Sequence, residues 1–317
     1  MQRVKKVGII GAGNVGSTLA YILSATTPYE IVLQDKDKNR ARGMLLDMFQ
    51  ASCVGTRFAK IGVIASPKDL KGCDVIVIAA GSPRLPGMSR NDLLLANARV
   101  ISDISKDIRE NSPDAIILLI TNPLDAMVYT ALQETGFKRN QILGMAGVLD
   151  SARMASFIYE KIQCAPGQIV APVMGGHGDD MVPLARYASV NGVPLTELLD
   201  NASIEEVIER TKNAGAEIVA CLKKGSAYFA PAKSAAEMVR AMMSDSKKIM
   251  PSAVLLQGEY GYEDVVGGVP VELGIHGVEK IVELQLNQEE KKHFDKSIQS
   301  VRDLINMLKS DFFNKPI

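Results

Sequence analysis

The chain has 317 residues, of which 47% are apolar, and its 36 basic side chains balance 36 acidic ones. This length suits one large unit or two domains, and the balanced charge excludes a global basic field for nucleic acid or an anionic membrane. The four cysteines lack CxxC spacing, which predicts small core residues in a reducing compartment. No apolar run is long enough to span a membrane and no signal-peptide pattern is present, so we expect a cytoplasmic protein.

The beginning of the chain contains its most informative pattern. Residues 5–10 predict a short buried strand, and the glycine pattern GAGNVG at 11–16 follows at once. An amphipathic helix comes next, and a second strand at 30–34 ends before Asp35. A GxGxxG pattern between a strand and a helix, with an acidic residue after the second strand, predicts a dinucleotide-binding turn.

Each part of this turn has a predicted role. Gly11 permits the tight turn, Gly13 lets the backbone approach a pyrophosphate, and Gly16 lets the helix pack closely on the strand. The helix N-terminus offers free N–H groups to the phosphates. Asp35 would bind the ribose hydroxyls and repel a 2′-phosphate, so we predict NAD as the cofactor rather than NADP. The alternative is a glycine-rich turn that binds nothing.

The rest of the first half continues the alternation of strands and helices. Strands are predicted at 60–64, 73–79, 115–120 and 141–144, and helices at 37–50, at 90–111 and after Pro123. The apolar character of the strands is nearly continuous, as expected when helices cover both faces of a sheet. This alternation predicts an α/β protein whose first domain, residues 1–146, is a Rossmann-type, doubly wound parallel sheet.

Residues 147–317 have a different character. Helices are predicted from Ser151, at 204–222, at 231–244 and at the end of the chain, with antiparallel strands near 254–256 and 269–274. This mixture predicts a C-terminal α+β substrate domain. No low-complexity linker separates the halves, so we expect them to pack tightly with a cleft between them.

His177 is the strongest candidate for an acid/base group. It is the one of three histidines that stands in a glycine-flanked turn after an apolar strand. A nicotinamide-dependent enzyme that oxidises an alcohol needs a group with a pKa near neutrality to take the hydroxyl proton. A carboxylate usually orients such a ring, and from the residues alone both Asp150 and Asp179 are candidates. No second His or Cys stands at ligand spacing from His177, so no metal site is predicted.

Five ordered motifs carry a resemblance to a known family. Beside GAGNVG with Asp35, the motifs are AAGSPRLPGMSRNDLL at 79–94, TNPLDAM at 121–127, GMAGVLDSAR at 144–153 and GGHGDDMVPL at 175–184. Together they resemble the lactate/malate dehydrogenase family over nearly the whole chain. The resemblance implies a Rossmann domain, NAD as the cofactor, a small 2-hydroxy acid as the substrate, and a homotetramer or a homodimer.

The resemblance also implies roles for individual residues. His177 would be the acid/base group and Asp150 its buried partner. Arg153 would hold the C1 carboxylate of the substrate as a fork-to-fork pair, a geometry that Lys cannot reproduce. Arg90 would polarise the carbonyl, and Asn122 would contact the substrate near the nicotinamide. Cofactor contacts are implied for Gly11, Gly13, Asn14, Val15, Gly16, Asp35, Asn97 and Asn122.

Arg84 falls on the position that separates substrates in this family. Lactate enzymes resemble this chain but carry Gln there, whereas Arg84 implies a second carboxylate and therefore malate and oxaloacetate. The predicted partner is a small dicarboxylate, with no nucleic acid and no membrane. Two alternatives remain open: a lactate or other 2-hydroxy-acid dehydrogenase, and a dinucleotide-binding regulatory protein without catalysis.

Overall fold

The computed structural model describes residues 4–55, 58, 60–64, 66–82, 87–165, 167–223 and 225–314. Arg84 and its neighbours at 83–86 lie outside the described residues.

Strands and helices alternate in the first half of the chain, and the second half mixes short strands, long helices and a three-stranded antiparallel unit. The strands are β1 (Lys6–Ile10), β2 (Glu30–Gln34), β3 (Ile61–Val63), β4 (Val75–Ile78), β5 (Ile116–Leu119), β6 (Ile142–Gly144), β7 (Ile169–Val170), β8 (Val173–Met174), β9 (Val182–Pro183), β10 (Ser189–Val190), β11 (Val193–Pro194), β12 (Lys248–Gln257), β13 (Glu263–Gly274) and β14 (Gly277–Ile281). The α-helices are α1 (Asn14–Thr26), α2 (Lys38–Val54), α3 (Arg90–Asn111), α4 (Leu124–Thr135), α5 (Gly147–Ile162), α6 (Leu195–Leu198), α7 (Asn201–Leu222), α8 (Phe229–Met243) and α9 (Gln288–Leu308).

Nine of the described strands form one sheet in the order β14-β13-β12-β6-β5-β4-β1-β2-β3. The six strands from the first half pair in parallel. The chain order reverses at β1, which lies between β2 and β4, and ligands in such sheets bind outside the carboxyl ends of the strands at this switch point. The Rossmann-type parallel sheet of the first half, and with it the predicted fold class, is confirmed.

The core explains the apolar strands. Every residue of β4 and β5 is buried, because the strands lie in the middle of the sheet with helices on both faces. In the C-terminal helix α9, Phe294, Ile298 and Val301 recur at helical spacing on the buried face. The helix therefore packs against the sheet through one apolar stripe.

The second half departs from the prediction in three respects. The segment 169–174, which precedes the His177 turn, splits into β7 and β8 in different sheets, with Pro172 between them unable to donate a ladder hydrogen bond. The helix predicted from Ser151 begins at Gly147. The antiparallel strands are longer than predicted. They also extend the main sheet, because Ala253 of β12 pairs with Gly144 of β6. The main sheet thus contains strands from both sides of the predicted domain boundary at 146/147. The division into two domains stays a prediction.

Candidate active site

The turn after β1 has the geometry that its glycines predict. Gly11 has φ of +105°, and a Cβ there would lie 2.7 Å from the backbone nitrogen of Ala80. A Cβ on Gly16 would lie 1.9 Å from the Gly11 carbonyl oxygen, so only glycine lets α1 approach β1 this closely. A Cβ on Gly13 would meet nothing within 4 Å. The space above Gly13 is therefore open on the side where a pyrophosphate would bind.

Asp35 holds this turn in place. One of its carboxylate oxygens accepts a hydrogen bond from the Ala12 N–H at 2.6 Å, and the other accepts from the Asp37 N–H at 2.9 Å. Gly13 is the N-cap of α1, and no side chain caps the helix, so Asn14 and Val15 begin a first turn whose N–H groups suit an anion. These features fit NAD: a cradle for phosphates with a carboxylate beside it.

Asn97 lies beneath the loops that follow β4 and β5. Its side chain is buried, and its Oδ1 accepts from the Ser82 N–H at 2.7 Å. Its Nδ2 donates to the Asn122 carbonyl oxygen at 2.7 Å, while Asn122 itself is exposed. Asn97 therefore ties the two loops together with its amide, and its predicted contact with the cofactor stays a prediction.

His177, Asp150 and Arg153 form one buried, hydrogen-bonded group. His177 Nδ1 lies 2.9 Å from one oxygen of Asp150, and Arg153 Nη1 donates to the other oxygen at 3.1 Å. The Asp150 side chain is 2% exposed, whereas His177 and Arg153 keep 15% and 14% of their side-chain surface exposed. Arg153 Nε is buried without an acceptor among the described residues. Asp179, the other carboxylate that the residues left open, pairs instead with Arg90.

The electrostatics of the group favour a protonated imidazole. Burial opposes the charged ring and would lower its pKa, but the charge and hydrogen bond of Asp150 act in the other direction, with a smaller contribution from Asp125. The net effect raises the pKa of His177 above its ordinary value, against an opposing contribution from Arg153. Near neutral pH, His177 can therefore hold a proton and release it.

Three successive N–H groups fix the backbone at His177. Gly175 forms a backbone bridge with Gly268, and the Gly176 N–H donates to Ser297 Oγ at 2.8 Å. The His177 N–H donates to Asp125 Oδ2 at 2.9 Å. Each anchor comes from a different part of the fold, so three separate contacts fix the position of the loop that carries the imidazole.

Asp125 is a site residue that sequence reasoning missed. It lies in the TNPLDAM motif, yet nothing in that motif indicates that the carboxyl group faces a loop some fifty positions later in the chain. Burial, with a smaller contribution from Asp150, raises the pKa of Asp125 to about 6, although the His177 N–H and the His177 charge oppose this change.

Arg90 reaches the same edge of the sheet from the first turn of α3. Its Nη2 lies 3.6 Å from Asp179 Oδ2, and both side chains are largely exposed. The pair places Arg90 next to the loop that carries His177. Arg84 lies outside the described residues, so its predicted role stays a prediction.

The described residues contain no group of three or more His, Cys, Asp or Glu side chains that could hold a metal ion. Among the same residues, none of the helices combines the length and the apolar character needed to cross a bilayer.

Comparisons with known proteins agree with this geometry. Residues 5–144 match the model of the lactate/malate dehydrogenase NAD binding domain, and residues 147–311 match that of the family's alpha/beta C-terminal domain. The malate dehydrogenase of Sulfurimonas denitrificans is 56% identical over 99% of both chains.

Solved structures give the same result. The malate dehydrogenase of Cryptosporidium parvum superposes with a TM-score of 0.94 at 37% identity, covering 97% of this chain and 100% of that one. The lactate dehydrogenase of Eimeria maxima, solved with NADH and oxamate, has the same TM-score at 34% identity and covers 100% of this chain and 99% of that one. The resemblance in the five motifs is therefore confirmed, and the chain belongs to the lactate/malate dehydrogenase family of NAD-dependent oxidoreductases.

Proposed function

We propose that the chain interconverts (S)-malate and oxaloacetate with NAD as the cofactor. The observation that carries this proposal is the buried group in which Asp150 accepts hydrogen bonds from both His177 and Arg153. It couples a proton-transfer group to a carboxylate-binding guanidinium at the ligand-binding edge of the sheet. The malate dehydrogenases among the relatives support the choice of substrate.

His177 performs the proton transfer. Because Asp150 binds Nδ1, the proton that moves is the one on Nε2. During reduction, His177 as imidazolium gives this proton to the C2 oxygen of oxaloacetate, which becomes the hydroxyl of malate. During oxidation, the neutral ring takes the proton back. NADH, when bound, supplies the hydride for C2.

The arginines bind and polarise the substrate. Arg153 pairs with the C1 carboxylate, and its guanidinium has further N–H donors beside the Nη1 group that Asp150 accepts. Arg90 stabilises the negative charge that develops on the C2 oxygen, and Asn122 donates to the substrate beside it. Arg90 exchanges its exposed pairing with Asp179 for the substrate, at little cost because exposed ion pairs are weak.

Substrate choice rests on Arg84, which pairs with the second carboxylate of oxaloacetate. Pyruvate offers a methyl group instead, so it would leave the charge of Arg84 without its partner. Sites built to pair a polar group reject analogues that lack it by roughly 10⁴–10⁵-fold. Lactate dehydrogenase activity is the second candidate, and the similarity to a lactate enzyme with a TM-score of 0.94 favours testing it.

The test is kcat/KM for oxaloacetate and for pyruvate, in the wild type and in Arg84→Gln. The wild type should strongly prefer oxaloacetate, and the variant should lose orders of magnitude on oxaloacetate while gaining activity on pyruvate. Lys36→Gln is a matched control, because it removes one positive charge on the adenosine side. An unchanged ratio between the two acids in Arg84→Gln would show that Arg84 does not select the substrate.

A further inference from the structure

Asp125 is a buried carboxyl group that the proposed reaction does not yet use. It is the second residue of α4, and its side chain is 4% exposed. Oδ2 accepts from the His177 N–H at 2.9 Å, while Oδ1 is buried and has no hydrogen-bond partner among the described residues. The group therefore pays most of the desolvation cost of a carboxylate for one hydrogen bond.

That hydrogen bond alone does not require a charge. An amide oxygen would accept from the same N–H without the cost of burying an ion. No Lys or Arg of the described residues lies within ion-pair distance of Asp125, so a cation does not offset the charge. The N–H that donates this hydrogen bond belongs to His177. The imidazole of the same residue carries a positive charge during the proposed reduction.

The other charged groups around His177 are already paired. Asp150, from α5, divides its charge between the ring and Arg153. In the His177 loop itself, Asp179 pairs with Arg90 of α3, and Asp180 pairs with Lys296 of α9 at 2.8 Å. Of these four carboxylates, Asp125 is the one that forms no ion pair with a Lys or Arg of the described residues.

We propose that Asp125 is a positioning residue of the oxaloacetate–malate reaction: it fixes the main chain of His177 and, as a second buried carboxylate, stabilises the imidazolium form of the ring. The inference rests on the proposed function for its kinetic consequence. Its electrostatic part concerns the free protein and holds whatever the substrate is. Near neutral pH the carboxyl group is ionised and acts on the ring together with Asp150.

The kinetic test compares Asp125→Asn with Ser297→Ala. Asp125→Asn keeps an acceptor for the His177 N–H but removes the charge. Ser297→Ala removes the neighbouring anchor at Gly176 without changing any charge. The pH dependence of kcat/KM is measured for oxaloacetate reduction and for malate oxidation, together with the dissociation constant of NADH.

Loss of the negative charge lowers the pKa of His177, so in Asp125→Asn both inflections should move to lower pH by about one unit. Reduction then fails at a lower pH because it needs the imidazolium, and oxidation begins at a lower pH because it needs the neutral ring. NADH affinity should be unchanged. Ser297→Ala should lower kcat without moving either inflection. Unmoved inflections in Asp125→Asn, or equal shifts in both variants, would overturn the proposal.

A measurement on the wild type covers the case in which Asp125→Asn does not fold. Carbon-13 NMR of the Asp125 carboxyl carbon and nitrogen-15 NMR of the His177 ring follow both titrations without substrate. We expect Asp125 to be ionised at the pH where the His177 ring loses its proton. A carboxyl group that stays protonated through that range would contradict it. Because this experiment needs no turnover, its failure is distinguishable from the absence of malate dehydrogenase activity.

Discussion

Asp150 connects the two tasks of the site at the scale of single residues. Its two oxygens serve different partners, so the orientation of the His177 ring and the position of the Arg153 guanidinium depend on one carboxylate. With 2% of its side chain exposed, Asp150 makes these contacts in a site shielded from solvent. The acid/base group and the carboxylate-binding group therefore keep a fixed relation.

Replacing either His177 or Asp150 should reduce turnover without preventing cofactor binding. In His177→Asn the proton donor is lost, and in Asp150→Asn the ring is poorly oriented and less able to carry charge. We expect turnover to fall roughly 10²–10⁴-fold in each variant, since general acid/base catalysis contributes about this much. Steady-state kinetics measure the loss, and NADH fluorescence titration checks that binding is retained. Wild-type turnover in His177→Asn would refute the assignment.

At the scale of elements, two glycines of the dinucleotide-binding turn have different roles, one in packing and the other in cofactor binding. Gly16 is needed for the contact between α1 and the turn, whereas Gly13 has open space above it. Gly16→Ala should therefore lower the free energy of unfolding by about 1–3 kcal/mol through overpacking. Gly13→Ala should leave stability nearly unchanged and weaken NADH binding, because its methyl group enters the space for the pyrophosphate. Urea unfolding and fluorescence titration measure the two effects.

Gly43 provides the matched control for both variants. It lies within α2, and a Cβ there would meet nothing within 4 Å. Gly43→Ala should raise stability by roughly 0.5–1 kcal/mol, because Ala restricts the unfolded chain and favours the helix. Equal destabilisation by all three changes would contradict the distinction between packing and open space.

The sequence predicts some elements well and others poorly for physical reasons. Buried parallel strands such as β4 and β5 are recognisable because both of their faces are apolar. The continuation of the sheet into β12 depends on the pairing of Ala253 with Gly144, which leaves no periodic signal in either segment. For the same reason Asp125 was not predicted to approach His177: its role depends on a contact between the start of α4 and a loop distant in the chain.

At the scale of the whole molecule, two buried groups make stability depend on pH. The pKa of Asp125 is raised to about 6 from an ordinary 3.8, so the native state binds this proton more tightly than the unfolded chain. Stability from this group is gained as pH falls through about 6 and is complete below the unfolded value. The raised pKa of His177 acts in the same direction: its contribution is present below about 6.5 and is lost as pH rises through the native value.

The wild type should therefore lose stability relative to Asp125→Asn when the pH is raised from 5 to 8. Because pH 5 lies about one unit below the native pKa of about 6, the part of this effect lost between pH 5 and 8 is roughly 1.4 kcal/mol. Urea unfolding of both proteins at the two pH values, at equal chain concentration, gives the difference and cancels the titration of groups elsewhere. Unfolding free energies that change in parallel would contradict the buried, ionised carboxylate.

The surface of α2 is the place where we expect another copy of the chain to bind. Most of α8 is buried in the core. By contrast, α2 buries only Ala41 and Met48, and Leu46 and Phe49 are 51% and 45% exposed. Phe49→Glu should lower the mass measured by light scattering, and Gln50→Glu, with the same added charge, should not. A monomeric wild type would refute the predicted homo-oligomer.

The most direct test of the account is the product formed from oxaloacetate and NADH deuterated at the transferring position. We expect one (S)-malate for each NADH consumed, with the deuterium on C2, and much slower consumption of NADH with pyruvate in place of oxaloacetate. Malate without deuterium at C2, no NADH consumption with oxaloacetate, or faster turnover of pyruvate would contradict it.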